Sequence, residues 1–303
     1  MSEKFEVTRL AASLGAEVHG ISLGDVGPAE AEAVRELLHE HLVLLFPDQH
    51  LSVEEHVAFG RHFGELEGHP NLQNPFLDHE EIFELAASKG GIADEWHSDI
   101  TFRDEPSVLS ILHMLKCPEV GGDTLWANMY RAYEALSAPL QELCEGLTAL
   151  HDAAPHGKPE DMSVHPVVRV HPVTGRKSLF VNEHFTRRIV ELSHRESELL
   201  LGYLTRWVAS APFTVRYRWQ PGTVAMWDNR CTQHFVLNDF ETERVIQRVT
   251  VMGDRPEGVG APRWAPYARA ENPAATSRYD LQLNRFLGRR ATSLESNRKR
   301  KDA

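Results

Sequence analysis

With 303 residues, of which 42% are hydrophobic and 25% charged, the chain has the composition of a globular protein able to bury a sizeable core. A formal net charge of -12 argues against a general nucleic-acid binder, and no apolar run approaches the roughly 20 residues of a membrane helix, so neither partner is expected. Three widely spaced cysteines, Cys117, Cys144 and Cys231, form no disulfide framework or zinc pattern, and the N-terminus lacks a basic region followed by an apolar one, so a cytoplasmic location is expected.

In chain order, FEVTRL alternates and reads as a strand, and Pro28 to Glu40 reads as a helix with proline in its first turn, running into the apolar strand LVLLF. In SVEEHVAFGRHFG, Ser52 can cap a helix and Glu55 can reach back, while Val53, Val57, Phe59 and Phe63 make an apolar stripe. From Gly68 to Asp94 the chain is rich in Pro, Asn, Gly and acidic residues, with one short apolar stretch, IFELAA. It reads mostly as mobile loop, and loops of that length commonly carry function. WHSDITF then has the aromatic and β-branched character of a strand. Further strand-like segments follow: SVLSILHML, GGDTLWANM, HPVVRVHP, SLFVN, FTVRYRW, TVAMWD and RVIQRVTVMGD. Two helical insertions, YRAYEALSAPLQELCEGL and SHRESELLLGYLTRWVA, interrupt them. Many short strands with Gly and Pro turns indicate a sandwich, jelly roll or barrel with helices packed outside. From about Gly260 the strand pattern is lost. Residues 261–303 are expected to form a partly loose extension, and its basic end, SNRKRKDA, a solvated tail.

Three His-x-Asp/Glu triplets occur, His79-x-Glu81, His97-x-Asp99 and His194-x-Glu196, about the number that chance gives for 17 histidines and 44 acidic residues. Context separates them. On a strand, residues i and i+2 share a face, so the pair in WHSDITF could offer an imidazole and a carboxylate to one ion. His194 lies in a helical pattern and His79 in an acidic loop. His234, after the strand and turn of MWDNRCTQH, supplies a third ligand. Two histidines and one carboxylate on one face of an octahedron leave positions open for a 2-oxo acid and O2. A diacid needs a partner for its far carboxylate, which Arg244 or Arg248 could be, because positions 244, 246 and 248 share one strand face. Alternatively, both arginines could bridge surface acids such as Glu241 or Glu243.

Together, WHSDITF, GGDTLWANM, HPVVRVHPVTGRKSLFVNEHFT, RWQPGTVAMWDNRCTQH and RVIQRVTVMGD resemble the TauD/TfdA (taurine dioxygenase) family of Fe(II)/2-oxoglutarate-dependent dioxygenases, in order over residues 5 to 255. The resemblance implies a mainly β fold with α insertions, a cupin-like double-stranded β-helix or jelly roll, in one domain spanning residues 1–260. It implies that His97, Asp99 and His234 bind Fe(II), that Thr124 and Arg244 hold the distal carboxylate of 2-oxoglutarate, and that Arg248, His69 and Phe185 meet the substrate. It further implies O2 as co-substrate, succinate and CO2 as co-products, and a homo-oligomer. With Asp99 retained, hydroxylation rather than halogenation is expected. The taurine pattern is incomplete: Leu72 stands where taurine enzymes place a tyrosine and Ala93 where they place an asparagine, and the segment HDAAPHGKPEDMSVHP is shorter than theirs. The expected substrate is therefore a small anionic compound, an organosulfonate, alkyl sulfate or carboxylate, with a less polar body. Trp126, Trp219 and Trp227 are expected as packing, Asp228 and Asn229 as the turn that presents His234, and His113, His165 and His171 as structural or surface. The competing readings are a cupin-like zinc hydrolase and a non-catalytic metal-binding barrel.

Overall fold

The structure is a computed structural model and describes residues 5–68, 79–89, 93–267, 283 and 286–288. Its largest sheet has eight strands. In spatial order these are β1 (Glu6–Arg9), β2 (Ala16–His19), β3 (Val43–Phe46), β14 (Val224–Asp228), β6 (Leu109–Lys116), β16 (Val245–Val251) and β4 (Leu66–Glu67), with β5 (Ile82–Ala86) also paired to β16. The β2–β3 pair is parallel and the other pairs are antiparallel. A three-stranded sheet, β13 (Thr214–Tyr217), β7 (Thr124–Asn128) and β15 (Thr232–Val236), packs on its inner face. Two further three-stranded sheets are β12 (Thr186–Ile189), β8 (Thr148–Ala153) and β9 (Lys158–Pro166), and β11 (Lys177–Leu179), β10 (Val168–Val170) and β17 (Glu257–Gly258).

Side-chain alternation distributes the core into layers. On β16, Ile246 joins Trp126, Trp219 and Trp227 between the two facing sheets, while Val249 and Val251 join the outer core beneath helices α1 (Pro28–His41) and α2 (Val53–Arg61). β3 is buried on both faces, Leu44 and Phe46 outward and Val43 and Leu45 inward, which explains its unbroken apolar run. Helices α3 (Met129–Glu134), α4 (Ala138–Glu145) and α5 (His194–Val208) cover a second core that includes Ala127, Val168 and Val181. Among the described residues, no helix is long and apolar enough to cross a membrane.

The capping box of α2 forms as the sequence suggests: Ser52 Oγ accepts from Glu55 N at 3.2 Å and Ser52 N donates to Glu55 at 2.7 Å. A second box, Ser193 with Glu196, starts α5, so the acid of the His194-x-Glu196 triplet serves the helix. Glu81 of the His79 triplet pairs with Arg61 at 2.6 Å. Three expectations require correction. IFELAA is not loop; it forms β5, because its alternating side chains fit the edge of β16. The insertion read as one helix between residues 130 and 147 is two, α3 and α4, broken where Ser137 takes an extended backbone ahead of α4 and Pro139 cannot supply the N–H that a continuous helix needs. WHSDITF is not a strand either: His97 forms an isolated bridge, and a turn begins at Asp99. The described parts of the C-terminal extension pack against the protein, with Tyr267 N donating to Val190 O at 3.0 Å and Leu283 buried against Leu150 and Val190.

Buried histidines make the fold sensitive to acid. Burial lowers His56 in α2 to about 3 and His165 in β9 to about 4 from an ordinary 6.5, so both stay neutral while folded. The unfolded chain therefore binds protons first as pH falls. Stability is intact above 6.5 and declines from there towards 4, by up to about 1.4 kcal/mol per pH unit for each histidine. Urea midpoints measured between pH 7.5 and pH 5 should fall accordingly, and His56→Gln should flatten the slope. A flat profile in the wild type would contradict this account.

Candidate active site

The site is assembled where β15 meets the segment before the turn. His97 N donates to His234 O at 3.1 Å and His234 N donates to His97 O at 2.8 Å, a reciprocal pair that brings the two imidazole centroids to 4.0 Å. The carbonyl of Glu95 lies 2.7 Å from His97 Nδ1; a carbonyl only accepts, so Nδ1 carries the hydrogen and Nε2 keeps its lone pair. The Nε2 atoms of His97 and His234 each lie 3.9 Å from Asp99 Oδ1. One ligand atom from each of the three buried residues falls within 4.8 Å of the others. Convergence of His97 and Asp99 comes from the turn, not from a shared strand face: Ile100 has φ 46°, a left-handed conformation rare for a β-branched residue, immediately after Asp99.

The carboxylate is held from several sides. Ser110 Oγ donates to Asp99 Oδ2 at 2.6 Å, Arg248 Nη1 donates to both oxygens at 3.0 and 3.2 Å, and Asp99 N donates to Asn229 Oδ1 at 3.3 Å. Asn229 in turn accepts from Trp227 Nε1 at 3.1 Å and donates to Ser110 Oγ at 2.9 Å. Asp228 fastens the turn ahead of β15, accepting from Arg230 N at 2.9 Å with its side chain and from Thr232 Oγ1 at 2.7 Å with its carbonyl. Asp228 ends β14 and Asn229 begins the turn that leads to His234, where the sequence suggests that they fix it. Burial opposes ionisation of Asp99, but Arg248, the two imidazoles and Ser110 outweigh it and hold the carboxyl well below the usual range. Burial pushes His97 down to about 4 and His234 well below its ordinary value. At neutral pH the cluster is thus two neutral imidazoles and one carboxylate, the donor states that a divalent cation requires.

A second feature lies at the residue just before β16, beside the Trp219 that Ile246 also packs with. Arg244 is 8% exposed; its Nε donates to Gly122 O at 3.3 Å, and its Nη2 is buried without a hydrogen-bond partner. Burial lowers this guanidinium to about 10, so it remains charged at neutral pH. Thr124 stands beside it, both groups meeting Trp219: Trp219 Nε1 donates to Thr124 Oγ1 at 2.9 Å, and the Arg244 guanidinium lies 6.0 Å from the indole. Gly122, whose carbonyl accepts from Arg244, has a φ of +71°, a conformation that favours glycine. Among the described residues, neither arginine bridges a surface acid. Glu243 instead accepts from Ser88 N at 3.2 Å, and Arg248 lies over Phe83 at 4.8 Å with its charge on Asp99.

Phe185 is buried with its ring 6.3 Å from His97, while Ala93 contributes its carbonyl to Val236 N at 2.9 Å. His69 and Leu72 lie outside the described residues. Two further groups near the site carry no sequence signal. His184, whose Nδ1 is 2.6 Å from Glu95 Oε2, places its ring 5.5 Å from His97, and His156 follows at 6.0 Å from His184. His113, His165 and His171 are buried and hydrogen-bonded, so they are structural and not surface. His171, Asp228 and Cys231 also cluster within 4.8 Å, but Arg230 lies 2.6 Å from Asp228, where it would repel a cation.

Comparison with known proteins places this geometry among relatives. The sequence profile described as "Taurine catabolism dioxygenase TauD, TfdA family" matches residues 6–250. An "Alkylsulfatase" of Acinetobacter baylyi is 38% identical over 84% of this chain and 86% of its own length. An "Alpha-ketoglutarate-dependent sulfate ester dioxygenase" of Pseudomonas putida is 37% identical over 84% of this chain and 92% of its own. Among solved structures, a "Taurine Dioxygenase from Burkholderia xenovorans" aligns with a TM-score of 0.77 at 37% identity, covering 84% of this chain and 93% of that one. "AAD-2 in complex with Mn(II) and N-oxalylglycine" aligns at 0.73 and 28% identity, covering 84% of this chain and 99% of that one.

Proposed function

Because the chain belongs to the TauD, TfdA dioxygenase family, we propose that it is an Fe(II)- and 2-oxoglutarate-dependent dioxygenase that hydroxylates a C–H bond of a sulfate ester or sulfonate. The observation that carries this reading is the buried Arg244 beside Thr124, just before the strand that brings Arg248 to Asp99. A buried guanidinium without an anion is costly. The far carboxylate of 2-oxoglutarate meets it with a bidentate pair of charge-assisted hydrogen bonds. A zinc hydrolase or a passive metal-binding barrel has no use for such an anion site.

The two facing sheets are those of a double-stranded β-helix, and residues 1–260 form its one domain. His97, His234 and Asp99 would hold Fe(II), which when bound activates O2 and drives oxidative decarboxylation of the 2-oxo acid. The balance is one O2 consumed, with one of its oxygens delivered to succinate and the other to the substrate, and CO2 released. Arg244 and Thr124 fix one end of 2-oxoglutarate and so orient its oxo-acid end towards the three ligands. N-oxalylglycine, found with the AAD-2 relative, carries the same two acid ends with NH in place of a methylene. Arg248 fixes Asp99 and presents a cation to the substrate's anionic group. Phe185, Phe102 and Ile100 form a buried apolar cluster beside His97, which helps exclude water. Relatives named for alkylsulfatase, sulfate ester and taurine activity support an anionic sulfur substrate here, and hydroxylation at the carbon bearing a sulfate ester gives a product that collapses to a carbonyl compound and sulfate.

Anaerobic addition of Fe(II) and 2-oxoglutarate to the metal-free protein should produce a weak visible charge-transfer band that His97→Ala abolishes. Alkyl sulfates or sulfonates should shift the band and, once air is admitted, stimulate succinate formation. A folded, iron-loaded protein that gives no band would return the assignment to a zinc hydrolase or binding protein.

A further inference from the structure

The turn that carries Asp99 is anchored on its far side by a buried polar cluster that, among the described residues, shares no hydrogen bond with the three candidate ligands. Thr101 is 1% exposed, and its Oγ1 lies 3.0 Å from His151 Nδ1 and accepts from Asn182 Nδ2 at 3.1 Å. His165 Nε2 lies 2.9 Å from the carbonyl of Thr101 and 2.8 Å from that of Arg103. Two carbonyls can only accept, so this nitrogen carries the hydrogen and is shared between them. The cluster is closed on itself: Thr186 Oγ1 accepts from Asn182 N at 2.9 Å and lies 3.2 Å from His151 Nδ1, and Asn182 Oδ1 accepts from Phe185 N at 2.7 Å. Its histidines and Thr186 stand on β8, β9 and β12, a sheet separate from the one that bears Ser110 and Arg248.

We propose that Thr101, His151, His165 and Asn182 are positioning residues for the carboxylate ligand: they hold the strained turn after Asp99 closed and thereby set the affinity of the centre for its metal. Ile100 supplies the reason. A β-branched residue at φ 46° returns to an ordinary backbone basin unless its neighbours forbid it. Such a relaxation would turn the chain next to Asp99 and carry its carboxylate away from His97 and His234. The hydrogen bonds to Thr101 and Arg103 fix the turn within three residues of Ile100, while Ile100 itself packs with Phe102, Ala153 and Phe185. Ser110 and Arg248 then act on a carboxylate already delivered to them. The cluster retains a cost of its own, since His151 Nε2 is buried with no partner among the described residues.

The inference rests on the metal-centre reading above, so its test uses metal binding without 2-oxoglutarate or substrate. The full chain is titrated with Co(II), an air-stable stand-in for Fe(II), following the visible d–d bands and the heat of binding. Thr101→Val, which keeps shape and removes the hydroxyl, and His165→Phe are expected to weaken Co(II) binding about 10- to 100-fold, in the range found when a group supporting a metal ligand is lost. Their d–d bands should also change shape. Thr101→Ser and His165→Gln retain the polar atoms and should restore affinity to within about threefold and the wild-type spectrum. Leu204→Ala, a cavity in the core under α5, controls for general loss of stability and should leave both readouts unchanged. Unchanged affinity and spectrum in folded Thr101→Val and His165→Phe would overturn the proposal, as would an equal loss in Leu204→Ala. Absence of His97-dependent Co(II) binding in the wild type would remove the metal centre itself and the proposal with it, an outcome distinguishable from failure of the variants alone.

Discussion

Arg244→Met is expected to raise the KM for 2-oxoglutarate about 10²- to 10³-fold while leaving the ligand-free protein as stable as the wild type or more so. Two charge-assisted hydrogen bonds at roughly 1.5–3 kcal/mol each, discounted for the thioether that replaces them, give about 3–4 kcal/mol of lost binding. The opposite sign for stability follows from the missing counter-ion. In the empty site Arg244 keeps a charge buried against Trp219 with one nitrogen unpaired, and methionine fills similar space without that penalty, for a gain of up to about 2 kcal/mol. Steady-state kinetics with varied 2-oxoglutarate and urea unfolding of the ligand-free protein read the two halves separately. A KM change under threefold would mean that the distal carboxylate is held elsewhere.

Asp99→Ala inverts that pattern in the ligand-free protein. Turnover should fall below detection because the only carboxylate of the three-ligand cluster is gone, and the ligand-free fold should lose about 2–3 kcal/mol because Arg248, which is only partly exposed, is left uncompensated. The double variant Asp99→Ala/Arg248→Met should recover most of that stability without recovering turnover, which isolates the pair from the ligand role. If Asp99→Ala unfolds no more readily than the wild type, the Asp99–Arg248 contact contributes nothing to the ligand-free fold.

Both predictions depend on residues that the sequence could nominate only in part. The alternation of RVIQRVTV placed Arg244 and Arg248 on one face; β16 carries Ile246 and Arg248, and Arg244 stands just before it, over the Trp219 that Ile246 packs with. The caps of α2 and α5 were legible because Ser-x-x-Glu spacing is local chemistry. WHSDITF misled because its composition suits a strand, whereas the conformation of Asp99 to Arg103 is imposed by His165, His151 and Asn182 from more than forty residues away. No local pattern reports such a tertiary constraint. IFELAA was hidden for a related reason: its polar flanks look like loop, and only the free edge of β16 makes a strand of it. His184 and Glu95 have no spacing signature, since they meet across 89 residues.

The reciprocal bridge between His97 and His234 would make the two proposed imidazole ligands a rigid bidentate chelator whose bite is set by main-chain hydrogen bonds. Their ordering entropy is lost when the chain folds, not when the ion arrives, so metal uptake gains a chelate effect without an entropic cost from closing the ligand pair. Metal loading and main-chain order are then reciprocally linked. An ion bound at the pair should slow hydrogen exchange at the His97 and His234 amides, and any condition that opens β15 at His234 should speed the ion's release.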